Sequence, residues 1–282
     1  MRLLHLLIAA AMLFHFAAAN SAIAQTVASR RAPGIDPGGV DRDVLKTDPI
    51  AEQAPADETD TFLTYFYLNP KPDEFVYHFR EIARSLEFQA DANSAALSTF
   101  FGYIMRQYPE RIGGWADELA DLPPTYKPVL YYSLGHADCE EARNALRRLA
   151  DAARGSDQRA AYGVLAVKTP NLLTREIRTG AHLDALWGAF LATGDERFVK
   201  RIIGVLAWLD DKSATLHQRV VAEAAKWSLT SNAWQHSRVL RFCRDALPDA
   251  PATTAVALRE IIAQTEQALT TKPCPEPKPA TK

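Results

Sequence analysis

Apolar residues recur at helical spacing along most of this 282-residue chain, and this periodicity constrains the fold more than any other sequence feature. Phe75, Phe79 and Ile82 form one clear stripe, and Pro72 ahead of them suits the first turn of a helix. Comparable stripes continue as far as Leu269. The pattern predicts an all-α protein, and the close succession of helices predicts an irregular array of antiparallel helix pairs, similar to an α-solenoid.

Short polar breaks separate the predicted helices. The clearest is Thr193-Gly194-Asp195, because glycine is common just after a helix end and aspartate is a strong N-cap. Segments 230–233 and 134–138 carry similar residues and predict similar breaks at unequal spacings. The one strand-like run, 62–68, has no strand to pair with, so we expect a helix or a docked segment there.

Two short sequences resemble those of a known class of protein. They are Leu186-Trp187-Gly188-Ala189-Phe190, with the break at 193–195 after it, and Asn69-Pro70 before the first strong helix. They are similar to exported bacterial helical-repeat proteins of unassigned function, which resemble irregular tetratricopeptide-like α-solenoids. The resemblance implies stacked helix pairs. The chain lacks the 34-residue spacing of true tetratricopeptides, and the resemblance brings no catalytic residue with it.

The N-terminal region has the features of a signal peptide. Arg2 precedes an apolar run over residues 3–19, and Ala22-Ile23-Ala24 provides the small-x-small pattern of a cleavage site. An uncleaved anchor is the alternative, but a spanning helix needs about 20 apolar residues. The sequence therefore predicts cleavage after Ala24 and a periplasmic or secreted protein with no stable membrane span.

Composition divides the remaining chain into three parts. Residues 25–58 lack apolar periodicity and contain four prolines, which predicts a flexible linker. Residues 59–272 form the predicted helical domain. Residues 273–282 place a proline at every second position up to 279, which predicts an extended, solvated, disordered tail.

Charge and cysteine content limit the possible functions. Without the signal peptide the chain has 31 basic and 34 acidic residues, so it has no general attraction for nucleic acid. Export permits disulfides, but Cys139, Cys243 and Cys274 leave at least one thiol unpaired, and whether any pair forms stays open.

No catalytic signature appears in the sequence. Gly-x-Ser-x-Gly, Ser-x-x-Lys, His-Glu-x-x-His, Cys-x-x-Cys and a phosphate-binding glycine loop are all missing from the chain. We therefore assign no catalytic, cofactor-binding or metal-binding residue from sequence and expect no cofactor.

Two residue clusters admit a metal-binding interpretation. Glu74, His78 and Glu81 share one helix face, where they could hold a metal or simply form a solvated face opposite the phenylalanine stripe. The second interpretation is favoured. The other cluster comprises four residues, in which aspartate is better explained as an N-cap and glutamate by the helix dipole: His136, Asp138, Cys139 and Glu140.

The remaining candidates are aromatic, basic or isolated. Four tryptophans could line a groove but more often belong to a core: Trp187, Trp208, Trp227 and Trp234. Three arginines form a basic patch that we expect to be the solvated back of a helix, paired with Glu140 and Glu141: Arg143, Arg147 and Arg148. Three histidines are isolated and are expected at the surface or in packing: His182, His217 and His236.

These observations favour an exported, non-catalytic protein-binding or scaffold module of the bacterial envelope, in an assembly, adaptor or immunity-type role. A protein or peptide partner is expected, because stacked helix pairs create an extended groove. The alternative is an all-α periplasmic enzyme, a lyase or hydrolase acting on cell-wall or glycan material. Acidic and aromatic residues that converge in one deep cleft would support this alternative.

Overall fold

The computed structural model describes residues 58–85, 93–169 and 171–277, and within these ranges the protein is all-α with no strand. The all-α prediction is confirmed. The predicted signal peptide, residues 1–24, and the linker up to residue 57 lie outside the described residues.

Twelve α-helices follow one another in the described ranges, with 3₁₀ turns at Pro72–Glu74, Pro109–Arg111 and Leu206–Trp208. The helices are α1 Glu58–Tyr65, α2 Phe75–Ser85, α3 Asn93–Gln107, α4 Ile112–Glu118, α5 Lys127–Ala137, α6 Glu140–Ala152, α7 Gly155–Ala166, α8 Gly180–Thr193, α9 Glu196–Val205, α10 Leu216–Gln235, α11 Ser237–Ala246 and α12 Ala252–Thr271. The strand-like run therefore begins as helix α1, as expected.

Helix α3 occupies the centre of the fold. The apolar side chains on one of its faces are buried, as the periodicity predicts. The helix packs most extensively against α8 and α5. Two glycines permit these close crossings. A Cβ on Gly188 would overlap the carbonyl oxygen of Ala96, and one on Gly102 would lie 2.6 Å from that of Ser133. Four helices separate α3 from α8 in the sequence, so their pairing is a long-range feature that local patterns did not predict.

The chain from α8 onward pairs helices in sequence order. The break after α8 forms as predicted: Gly194 has a φ of 68°, and the Asp195 carboxylate accepts a hydrogen bond from the Arg197 amide at 2.9 Å. Helices α9, α10, α11 and α12 then pack on one another. One hydrophobic core extends from Phe62 to Ile261. The arrangement of the whole chain as a solenoid stays a prediction.

The predicted break at 230–233 is wrong, because these residues lie inside α10. The Thr230 hydroxyl donates to the Lys226 carbonyl at 3.0 Å, and the Asn232 amide donates to the Ser228 carbonyl at 2.9 Å. Both side chains thus form hydrogen bonds to carbonyls of the preceding turn, and the backbone stays helical. The chain breaks instead at His236, whose extended backbone ends α10 and precedes α11.

The prediction that Asp138 is an N-cap is also wrong. Asp138 adopts a left-handed conformation with a φ of 47° and ends α5, while Cys139 holds the N-cap position of α6. The Asp138 carboxylate accepts a hydrogen bond from Arg143 at 2.6 Å. A short polar side chain tolerates this backbone conformation better than most residues do. Asp138 therefore ends α5 and does not cap α6.

The described part of the predicted tail, residues 273–277, has no regular secondary structure but lies against the body of the protein. Cys274 and Glu276 are half-buried there. We call residues 273–277 the C-terminal strap. Among the described residues, no helix combines the length and apolar character needed to span a membrane.

Candidate functional site

Two cavities of ligand size stand out in the described part of the chain. One, of about 390 Å³, lies among α5, α6 and the segment after α7. Its lining includes two cations, Arg143 and Lys168, of which Arg143 is paired with Asp138 at 2.6 Å. The other, of about 330 Å³, lies at α1 and exposes more apolar than polar lining. Binding sites for organic ligands are usually apolar clefts with a few polar groups, so the second cavity is the stronger candidate.

We call this second cavity the α1 cleft. Helix α1, the loop after it, the first turn before α2 and the end of the strap all contribute to its lining. The lining residues are Glu58, Thr61, Phe62, Tyr65, Phe66, Leu68, Asn69, Lys71, Glu74 and Pro277. The strand-like aromatic run that the sequence could not pair thus provides the floor of the cleft.

Aromatic rings hold that floor in place. The rings of Phe62 and Phe66 meet edge to face with centroids 5.2 Å apart, and each also meets Phe100 at 6.0 Å. Phe62 stacks on His78 at 4.1 Å. Because Phe62 and Phe66 are almost fully buried, the floor is packed into the core and is rigid at its base.

Charged groups of both signs surround the opening. Lys71 donates to the Glu74 carboxylate at 2.9 Å, and this hydrogen bond, together with one from His78, lowers the pKa of Glu74. Glu58 is exposed at the end of the cleft where α1 begins. A ligand would therefore meet an apolar floor and a rim that carries two carboxylates and one ammonium group.

His78 is fully buried behind the cleft, and the prediction of a solvated face is wrong for this residue. Its Nε2 lies 3.3 Å from the Glu74 carboxylate, and its Nδ1 lies 3.1 Å from the Thr59 hydroxyl. Desolvation lowers the pKa of His78, so the ring is neutral at pH 7. A carboxylate only accepts hydrogen bonds. Nε2 therefore donates to Glu74, and Nδ1 accepts the hydroxyl proton of Thr59.

The two sequence clusters do not form metal sites. Within the described ranges, no group of three histidine, cysteine, aspartate or glutamate side chains is arranged to hold a metal ion. Glu74 and His78 meet each other as described, without a metal-binding set that includes Glu81. His136 turns toward α3, where its Nε2 lies 3.5 Å from the Thr99 hydroxyl, and burial lowers its pKa to about 4. Asp138 instead pairs with Arg143.

The isolated histidines have structural contacts. His182 and Thr179 form a capping box at the start of α8. His217 donates from Nε2 to the Arg178 carbonyl at 2.6 Å. His236 is buried, its Nδ1 lies 3.1 Å from the Tyr67 hydroxyl, and burial lowers its pKa to about 3. None of these three histidines lines the α1 cleft.

Two of the four tryptophans are buried as core residues, and the other two, Trp208 and Trp227, are half-buried. Trp187 and Trp234 are buried and hydrogen-bonded, and no tryptophan lines the α1 cleft. The arginine patch is exposed. Its ion pairs differ from those expected: Arg143 and Arg148 bind Asp138 and Asp117 rather than the glutamates of their own helix. The three cysteines are free thiols.

Sequence reasoning missed two features. One is Asp184, which is only 8% exposed on α8 and whose pKa burial raises to about 8. No sequence signal marked it. The other is the use of 62–68 as a cleft floor, for which the excess of aromatic residues was the available signal.

No protein-family model matches this chain, and no curated protein or solved structure is detectably similar to it. The resemblance to exported helical-repeat proteins has no support from these comparisons.

Proposed function

We propose that this protein is an exported, non-catalytic binding module of the bacterial envelope, and that the α1 cleft takes an extended segment of a partner protein. The observation that carries the proposal is the aromatic floor of a 330 Å³ cleft beneath a rim with charges of both signs. The signal-peptide features of residues 1–24 support export.

The chemistry of the cleft suits a peptide. The exposed lining of the cleft is mainly apolar, and the buried rings of Phe62, Tyr65 and Phe66 fix its base, so a ligand would meet a preformed apolar surface. The Asn69 side-chain amide both donates and accepts, as an extended peptide backbone requires. Lys71 and Glu74 can distinguish ligands by charge, because a mismatched charge at the rim is repelled.

The test is selection of binders from a random peptide display library on the full chain and on a Thr61→Trp variant. Thr61 is exposed and lines the cleft, so a tryptophan there fills the cavity without disturbing the core. Gln264→Trp, at an exposed position on α12, is the matched control. We expect peptides that lose at least tenfold in affinity with Thr61→Trp and none with Gln264→Trp. Selected peptides that bind all three proteins equally would contradict the proposal.

A hydrolase is the second candidate, favoured by the chain of Thr59 hydroxyl, His78 imidazole and Glu74 carboxylate. In such a reaction the Thr59 oxygen would attack an ester or amide carbonyl of cell-wall material, and His78 would take the hydroxyl proton and pass it to the leaving group. Water would then release the acyl group. Thr59 does not line the α1 cleft, which favours binding. Release of products from isolated cell wall, abolished by Thr59→Val, would support the hydrolase instead.

A further inference from the structure

The C-terminal strap crosses the junction of α10 and α11 and is fixed there by hydrogen bonds to consecutive parts of the chain. The Trp234 indole donates to the Lys272 carbonyl, just before the strap, at 3.2 Å. The Cys274 thiol donates to the Gln235 carbonyl, at the end of α10, at 3.5 Å. The strap therefore follows a defined path over the surface.

Glu276 is the main anchor of the strap. Its carboxylate accepts the backbone N–H of Ser237, the first residue of α11, at 3.1 Å. It also accepts the Tyr67 hydroxyl at 3.3 Å. The first N–H groups of a helix have no partner within the helix, and the helix dipole favours a negative charge there. A carboxylate in this position holds the chain more firmly than a neutral side chain would.

Because Glu276 is anchored, the residue after it, Pro277, lies at the candidate site. Pro277 follows Glu276 directly, is exposed, and lines the same α1 cleft as the rings of the floor. Alternating prolines give this stretch, residues 273–279, a preference for the extended polyproline conformation. Grooves lined by aromatic residues commonly bind proline in that conformation, because little entropy is lost when a stiff segment docks.

We infer that Pro277 marks a proline subsite in the α1 cleft, and that the strap is an intramolecular stand-in for a proline-containing segment of the partner. This inference rests on the proposed function and names the ligand class of the same cleft. An attached segment has a high local concentration. The seated strap therefore competes with any partner segment for the subsite and weakens its apparent affinity.

The inference is tested with a fluorescein-labelled synthetic peptide of the strap's own sequence, residues 273–282 with serine in place of Cys274. Binding to the full chain and its variants is measured by fluorescence anisotropy. Glu276→Ala in the full chain removes the anchor, and we expect the peptide to bind it at least fivefold more tightly than the unaltered chain. Glu266→Ala is the matched control, because it removes an exposed acid from α12 that pairs with Arg244 and not with the strap.

Two further measurements test where the peptide binds. Thr61→Trp combined with Glu276→Ala should abolish binding of the peptide. A peptide with alanine in place of Pro277 should bind the Glu276→Ala chain at least fivefold more weakly than the original peptide. Hydrogen exchange at the Ser237 amide should accelerate in Glu276→Ala, which reports the loss of its carboxylate acceptor.

The outcomes separate this inference from the proposed function. Equal peptide affinity for Glu276→Ala and the unaltered chain, whether or not the Ser237 amide exchanges faster, would overturn the inference. So would an alanine peptide that binds as well as the proline peptide. If display selection nevertheless returns peptides that depend on Thr61 and lack proline, the cleft is a binding site of another specificity and the proposed function stands.

Discussion

Asp184 makes the stability of this protein depend on pH in an unusual direction. The carboxyl group is 8% exposed, and burial raises its pKa from 3.8 to about 8. In the unfolded chain the same group has its ordinary pKa. Between these two values the folded protein keeps the proton and the unfolded chain releases it. The free energy of unfolding therefore falls as pH rises.

The size of the effect follows from the width of this window. Each pH unit in which only the folded state binds the proton changes the free energy by about 1.4 kcal/mol. From pH 6 to pH 8 the change is about 2 kcal/mol, because the folded group itself begins to ionise near the upper limit. The replacement Asp184→Asn has nearly the same shape and does not ionise, so this contribution disappears.

The assay is urea unfolding at several pH values between 6 and 8, with the free energies of unfolding compared between the full chain and Asp184→Asn. The difference between the two proteins should grow by about 2 kcal/mol in favour of the variant as pH rises across this range. Asp249→Asn, at an exposed position, is the matched control and should leave the pH dependence unchanged. Parallel curves for the full chain and Asp184→Asn would mean that the folded carboxyl is ionised, and would refute the reasoning.

Three further predictions concern the fold. Gly188→Ala should lower the free energy of unfolding in urea by about 1–3 kcal/mol, because its Cβ would meet the Ala96 carbonyl. Gly204→Ala, in a helix with open space around it, should instead raise this free energy by about 0.5–1 kcal/mol. Equal effects of the two substitutions would contradict the close crossing. Phe79→Ala should cost about 3–5 kcal/mol, because Phe79 is fully buried, and a cost below about 0.5 kcal/mol would mean that its face is misassigned. His236 is buried with its pKa lowered to about 3, so below pH 6.5 the unfolded chain binds a proton at this residue that the folded state does not. The free energy of unfolding should therefore fall as pH decreases from 6.5, as measured by acid unfolding and by proton uptake on unfolding. His236→Phe should reduce that loss of stability.

Local sequence patterns were sufficient wherever one residue and its near neighbours determine the backbone. The stripe of Phe75 and Phe79 predicted a helix because a 3.6-residue period puts these side chains on one face. Gly194 predicted a helix end because only glycine adopts a left-handed conformation without strain. By contrast, the similar polar run at 230–233 contains no glycine, and its side chains bond to the preceding turn of α10. The missing glycine is the local difference between these two cases.

The candidate site depended on contacts that the sequence could not show. His78 looked solvated because its helix face opposes the phenylalanine stripe, but α1 covers it and stacks Phe62 on its ring. The prolines of the strap predicted that it is solvated. Its Glu276 carboxylate nevertheless accepts a hydrogen bond from the backbone N–H of Ser237, 39 residues away in sequence. Burial of a polar group depends on which distant segment packs over it.

The sequence by itself thus determined the helical class of the protein and most of its helix positions, because hydrogen bonding within a helix and its apolar period are local. Only the tertiary structure decided that α3 crosses α8 at Gly188, that α1 forms the floor of a cleft, and that Asp184 is buried. These outcomes depend on the joint packing of helices distant in sequence, and the periodicity of one helix indicates that a face is buried without indicating which partner buries it.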